Sequence, residues 1–332
     1  MRILFAGTPQ VAVPSLEALV AAEFDVAAVL TRVDAPLGRR RVLTPSPVAE
    51  AAARLGIPVI KANRFTPDLV ARLGELDLDA AAIVAYGGIV PPAALDIPRH
   101  GWINLHFSIL PAWRGAAPVQ HAVLAGDDVT GATTFRLEEG LDTGPVFGVM
   151  TETLEPSATS GDVLERLSHS GSVLLVQTLS GLGTGQVTAT PQSGEASSAP
   201  KLTIEDARID WSAPAVAVRR QVNAMTPEPG PWTLLEGQRV KLGPVVPAED
   251  APPGDGSEPA HGSAGNVAAD VGAEAHGEAL RPGEVRVTGR EVRVGTGSSP
   301  VVLGLLQPAG KKMMNALDWA RGAAARGELV FE

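Results

Sequence analysis

The 332-residue sequence holds one tight grouping of polar residues able to do chemistry, between Trp102 and Gly144. In Trp102-Ile103-Asn104-Leu105-His106-Phe107 the apolar Ile103, Leu105 and Phe107 alternate with Asn104 and His106. A strand of that period buries the three apolar side chains and turns the amide and the imidazole to the other face. Pro111 and the Trp113-Arg114-Gly115 turn end the strand just past the pair. That places them near its carboxyl end, where open α/β sheets bind ligands. Asp142 follows inside Gly140-Leu141-Asp142-Thr143-Gly144. Gathered in one place, an amide, an imidazole and a carboxylate suit proton transfer and the stabilisation of a developing oxyanion. Apart, they read more plainly: a solvated pair on a strand face, and an Asx-turn residue holding its own loop.

The elements that must bring them together begin at the amino end. Residues 2–6 read as a buried strand, Gly7-Thr8-Pro9 as a turn and residues 14–22 as a helix with Pro14 at its start. No G-x-G-x-x-G follows, so the dinucleotide fingerprint is missing. Strands are expected over 24–30, 58–61, 78–85, 130–137 and 146–154, and helices over 47–55, 67–73, 118–124 and 160–182, the last capped by Ser160. Near-continuous apolar strands alternating with helices predict an α/β fold, a doubly wound and mostly parallel Rossmann-like sheet, as the domain 1–188.

Residues 189–206 turn to Thr, Pro, Gln, Ser, Gly and Ala and read as a linker. Beyond them, short strands around 234–242, within 283–294 and over 301–306 predict a small β-barrel domain over 207–332, closed by helical character across 308–325. Its segment 246–280 carries seven acidic side chains, no Lys or Arg and almost no bulky apolar residue, the composition of a disordered insertion.

The composition is 45% hydrophobic, enough for a sizeable core, and contains no cysteine, which excludes disulfides and thiolate chemistry. The opening MRILFAGTP is too short for a signal-peptide core, and the apolar run 80–95 is broken by Gly87-Gly88 and Pro91-Pro92. A soluble cytoplasmic protein is expected. The net charge of −10 argues against nucleic acid at first sight. The carboxyl-terminal part outside 246–280 is nevertheless weakly basic.

Two loops carry open readings. Arg32, Arg39, Arg40 and Arg41 sit among Pro36, Gly38, Pro45 and Pro47, where neither helix nor strand is expected; the cluster is either solvated or a phosphate grip. Gly87-Gly88 after the strand at 78–85 is either a plain turn or a place where backbone approaches a flat ligand.

Asn104-Leu105-His106, the run SILPAWRGAAP from Ser108 to Pro118, and Gly140-Leu141-Asp142-Thr143-Gly144 together resemble the signature of the 10-formyltetrahydrofolate-dependent formyltransferases. The resemblance spans the chain apart from 246–280. It implies that a formyl group passes from 10-formyltetrahydrofolate, a co-substrate, to the free α-amino group of the methionyl ester on initiator tRNA, for translation initiation and with no metal. The amine would attack directly, through a tetrahedral intermediate. Asn104 and a protonated His106 would donate to the formyl oxygen, with Asp142 as base. Tyr86, Gly87, Gly88, Ile89, Ser108, Leu110, Pro111, Gly140 and Leu141 would line the folate site. Arg39 foremost, with Arg40, Arg41 and Arg114, would grip the tRNA acceptor end; Lys311 and Lys312, in the matching run 306–312, would meet its phosphates or simply end a strand in solvent. The carboxyl-terminal barrel would resemble an oligonucleotide-binding (OB) fold, and a monomer is expected. Val11 stands where family members usually carry Phe, read as a packing change. Competing readings are a formyltransferase for a small acceptor, a formylfolate hydrolase, an RNA-binding protein without turnover and a nicotinamide oxidoreductase.

Overall fold

A computed structural model describes residues 1–38, 41–248, 280–323 and 327–332, which fall into two compact units, Met1–Lys201 and Leu202–Glu332. Arg39, Arg40 and all but the ends of the 246–280 insertion lie outside the described residues.

In the first unit the strands are β1 (Arg2–Gly7), β2 (Asp25–Thr31), β3 (Ala35–Leu37), β4 (Val42–Thr44), β5 (Val59–Lys61), β6 (Ala80–Val84), β7 (Trp102–His106), β8 (Arg114–Gly115), β9 (Val129–Arg136), β10 (Val146–Thr153) and β11 (Ser198–Ala199). The helices are α1 (Val13–Ala21), α2 (Pro47–Arg54), α3 (Pro67–Gly74), α4 (Pro92–Leu95), α5 (Pro118–Ala125) and α6 (Ser160–Thr184). Seven strands form the main sheet in the order β10-β9-β7-β6-β1-β2-β5. From β7 to β5 every neighbour is parallel, and β9 and β10 are added antiparallel, so the mostly parallel Rossmann-like reading holds. The chain winds outward from β1 in both directions, which puts the reversal of strand order at β1 and β6.

Alternation along β1 sorts the two layers. Leu4 and Ala6 join Leu30, Ile83, Trp102 and the α3 residues Leu69 and Leu73 on one face, so Ile3 and Phe5 are buried on the other. Helix α6 backs β7: a Cβ at Gly171 would lie 3.2 Å from the Leu105 methyls, so a larger residue there would press on that side chain. The helix is capped by Thr159, whose hydroxyl accepts the Asp162 N–H while the Asp162 carboxylate accepts the Thr159 N–H. The cap is thus one residue before the expected Ser160, because only Thr159 has the extended backbone a capping residue needs.

The arginine-rich loop departs from expectation. Ala35–Leu37 and Val42–Thr44 pair antiparallel as a small ribbon, with Pro36 opposite Leu43. A two-stranded ribbon has an outward edge on both strands, so a proline without an N–H is tolerated there.

The second unit contains α7 (Ala215–Ala224), β12 (Trp232–Leu235), β13 (Gln238–Leu242), β14 (Val245–Pro247), β15 (Glu284–Thr288), β16 (Glu291–Val294), β17 (Val301–Leu303), β18 (Leu305–Gln307), β19 (Met314–Asn315), α8 (Ala316–Ala323) and β20 (Leu329–Val330). Its strands form antiparallel sheets of four, β12-β13-β18-β19, and five, β14-β17-β16-β15-β20. Val218, Val222, Val240, Val294, Leu303, Leu306 and Phe331 share their core. Sequence periodicity missed α7, which buries Val218 and Val222 four residues apart and leaves Val216 exposed. The helical reading of 308–325 is corrected to α8 alone, because Met314–Asn315 pairs with β18 before the helix starts.

Candidate active site

Strand β7 does what its alternation demands, with Ile103 and Leu105 buried and Asn104 and His106 on the opposite face. Past the carboxyl ends of β6 and β7 opens a cavity of about 620 Å³, within the range of small-molecule sites. Ile83, Val90, Leu95 and Leu137 give it apolar walls, and Asn104, His106 and Asp142 all line it. The amide, imidazole and carboxylate read from the sequence therefore converge.

His106 Nε2 lies 2.9 Å from the Trp113 carbonyl oxygen. A carbonyl only accepts, so Nε2 carries the hydrogen and Nδ1 turns to Asp142, whose Oδ2 is 3.9 Å away. The ring is buried, with Phe135 edge-on at 6.3 Å between centroids. Burial pushes the His106 pKa below its ordinary value, against the opposing pull of the Asp142 charge and the Trp113 hydrogen bond. Burial thus works against the expected protonated His106 and the Asp142 charge works for it, and the Nε2–H bond to Trp113 leaves Nδ1 as the ring nitrogen that faces the carboxylate.

Trp113 is fixed on every side. Its backbone is left-handed at φ 60°, its N–H donates to Ser197 Oγ at 2.9 Å, its indole N–H donates to Asp127 at 2.7 Å, and its ring stacks on His121. Asp142 is also left-handed, at φ 52°, and its Oδ2 accepts the Gly115 N–H at 2.8 Å. The glycines around it are required by crowding: a Cβ at Gly140 would overlap the Thr143 hydroxyl, and one at Gly144 the Arg136 carbonyl.

Of the expected folate residues, Tyr86, Gly87, Gly88, Ile89, Gly140 and Leu141 line the cavity. Tyr86 is a buried wall whose hydroxyl donates to the Ala62 carbonyl at 2.8 Å, while Thr8 Oγ1 donates to the Tyr86 carbonyl at 2.9 Å. Arg32 donates to the Gly87 carbonyl and to Asn63 Oδ1. Ile89 is 90% exposed and Leu141 69% exposed, both at the mouth. Ser108, Leu110 and Pro111 do not line it, because the chain turns away after Phe107. Ser108 Oγ donates to the Ala112 carbonyl at 2.6 Å, and Thr133 Oγ1 donates to the Ser108 carbonyl while accepting the Leu110 N–H. They brace the loop that presents Trp113.

Arg114 is half-buried, and its guanidinium donates to Gln192 Oε1. Arg41 is exposed at the end of the β3–β4 turn, with its N–H on the Gly38 carbonyl at 3.1 Å. In the second unit Lys311 and Lys312 are exposed beyond β18, where Gln307 Nε2 donates to the Lys311 carbonyl. Gln192, Ser197 and the Trp113 carbonyl were missed by sequence reading: Gln192 and Ser197 bond to residues 50 and 84 positions away, and the Trp113 carbonyl is a main-chain group that no side-chain pattern marks. Among the described residues no group of three or more His, Asp or Glu side chains is placed to hold a metal ion.

The cavity thus combines apolar walls with the segments 85–90 and 138–142 along its border, a lining of the kind small-molecule sites have.

The family model for formyl transferase matches residues 1–179, and that for the formyl transferase C-terminal domain matches residues 201–324. A methionyl-tRNA formyltransferase of Arthrobacter sp. (strain FB24) is 61% identical over 332 residues, covering all of both chains. Another, of Thermobifida fusca (strain YX), is 53% identical over 97% of this chain and 96% of its own. Among solved structures, HypX from Aquifex aeolicus in complex with tetrahydrofolic acid shares the fold, with a TM-score of 0.63 at 18% identity. The match covers 98% of this chain and 48% of that longer one.

Proposed function

The chain belongs to the formyl transferase family, and from that membership we infer that it acts as its methionyl-tRNA relatives do. It transfers a formyl group from 10-formyltetrahydrofolate to the amino group of methionyl-initiator tRNA. We propose further how the site does this. The convergence of Asn104, His106 and Asp142 on one cavity carries the reading.

The bound folate supplies the formyl carbon, which the neutral methionyl amine attacks directly, through a tetrahedral intermediate and without an acyl-enzyme. Asn104 is the standing donor for the negative charge that develops on the formyl oxygen, a contribution of roughly 3–4 kcal/mol for a preorganised donor. The attacking nitrogen must then lose a proton. Asp142 and the open Nδ1 of His106, 3.9 Å from it, form one acceptor site that takes the proton and returns it to the departing folate nitrogen. Once protonated, His106 is a second donor, with its charge balanced by Asp142. Holding the ring neutral until that moment is what its burial contributes.

Tyr86, Gly87, Gly88, Ile89, Gly140 and Leu141 are the folate contacts in this reading. Arg39, Arg40 and Arg41 grip the acceptor end of the tRNA, and Lys311 and Lys312 meet its phosphates. The first unit is the catalytic domain. The antiparallel second unit is read as an OB-like RNA-binding barrel, and the enzyme as a monomer working in the cytoplasm, where translation runs.

The test is to incubate the protein with 10-formyltetrahydrofolate with and without charged initiator tRNA. Direct transfer predicts formylmethionyl-tRNA when the acceptor is present, and unmodified protein by intact mass when it is absent. A formylated protein that then passes its formyl group to tRNA would overturn the direct route.

A further inference from the structure

Gln192 stands in the stretch that composition marks as a connector, yet both ends of its side-chain amide are fully engaged. Nε2 donates to the carbonyls of Asp142 at 2.8 Å and Gly144 at 2.9 Å. Oε1 accepts from Arg114 Nε at 3.2 Å and Nη2 at 2.6 Å. The residues that follow are strapped to the same loops. Trp113 N–H donates to Ser197 Oγ, and Arg114 N–H to the Ser197 carbonyl at 2.9 Å. Ser198–Ala199 pairs with Arg114–Gly115, and the Ala199 carbonyl accepts the N–H groups of Ala116 and Ala117.

We propose that Gln192 is a positioning residue for Asp142, a proposal that rests on the reading of Asp142 as part of the proton-accepting pair. Asp142 holds a left-handed backbone that an L side chain rarely adopts. Its carbonyl and that of Gly144 are tied by one NH2 group, and its carboxylate by the Gly115 N–H. Gln192 thus staples the loop carrying Asp142 to the loop carrying Arg114 and Gly115, and sets where the carboxylate stands relative to His106. The chemistry calls for an amide. Two carbonyls on one side need donors, and a guanidinium on the other needs an acceptor. A carboxylate of the same shape would keep Arg114 and repel both carbonyls. Gln192→Glu therefore separates a role through Asp142 from one through Arg114.

The experiment measures kcat, both KM values and thermal midpoints for Gln192→Ala and Gln192→Glu, each made in the wild-type and in the Asp142→Asn chain. Both substitutions should lower kcat by on the order of 10- to 100-fold, the effect of a misplaced reacting group. The folate KM should stay within about threefold, and each substitution should cost less than about threefold in the Asp142→Asn chain, because coupled residues are not additive. Wild-type kcat in either variant, rescue by Gln192→Glu, equal cost in both backgrounds, or a kcat loss that only follows a collapsed thermal midpoint overturns the proposal. Full turnover in Asp142→Asn alone would remove the reading of Asp142 itself, an outcome distinct from failure of Gln192.

Discussion

The cavity and the arginine ribbon are both built on the first unit, and they are built in opposite ways. Around the cavity, the loops 106–116, 138–144 and 190–200 are cross-linked by side-chain hydrogen bonds, and His106 and Asp142 are 7% and 9% exposed. In the β3–β4 ribbon, Leu37, Val42 and Leu43 are 57%, 60% and 68% exposed, and the strands hold chiefly to each other. The contrast is the one that the proposed roles of the two regions call for. Proton transfer and oxyanion stabilisation need groups fixed to a fraction of an ångström before substrate arrives. A grip on a polyanion needs exposed cations, whose attraction acts across several ångströms and tolerates slack.

The contrast can be broken in order of expected effect. Gly144→Ala forces a methyl onto the Arg136 carbonyl and displaces the Asp142 loop. It should lower kcat by on the order of 100-fold, as measured by single turnover at saturating substrates; an unchanged rate would mean that the loop has slack. In the ribbon the cost should fall on binding. Replacing Arg39, Arg40 and Arg41 together by Ala should raise the tRNA KM roughly tenfold, leave kcat within about threefold, and flatten the salt dependence of KM. A fall in kcat with unchanged KM would place the arginines in the chemistry instead.

A third test uses the buried imidazole. Its folded pKa lies below the ordinary 6.5, so the unfolded chain takes up the proton first as pH falls. Stability from this group is present above about pH 6.5 and is lost as pH falls from there through the folded value. The thermal midpoint should therefore drop with acidification, and His106→Gln should remove part of that slope; an unaltered slope would mean that burial does not hold the ring neutral. The smallest effect belongs away from both regions. Thr159→Ala deletes the cap of α6 and should cost about 1 kcal/mol in chemical denaturation with turnover per folded molecule unchanged.

The same contrast explains what could be read in the sequence. Strand β7 was legible because alternation is local, whereas Asp142 read alone as an Asx-turn residue and joined the pair only through the resemblance carried by Gly140-Leu141-Asp142-Thr143-Gly144. The mostly parallel sheet was legible because its strands are apolar on both faces. Gln192 and Ser197 were not, since their partners lie about 50 to 84 residues away and their surroundings have the composition of a connector. The ribbon was hidden by its prolines, which forbid a central strand but permit an edge. Helix α7 was hidden by valines that suit strands, although Val218 and Val222 had the helical spacing. The downward push on the His106 pKa was beyond reach, because its largest cause is burial, which no neighbour in sequence reveals.

The most direct test of the central claim is a single-turnover measurement of formyl transfer by Asn104→Ala, His106→Ala and Asp142→Ala, with folate affinity determined in parallel. Transfer should slow by roughly 100-fold or more in each, with folate affinity held within about threefold. Near wild-type transfer by His106→Ala or Asp142→Ala would contradict the account.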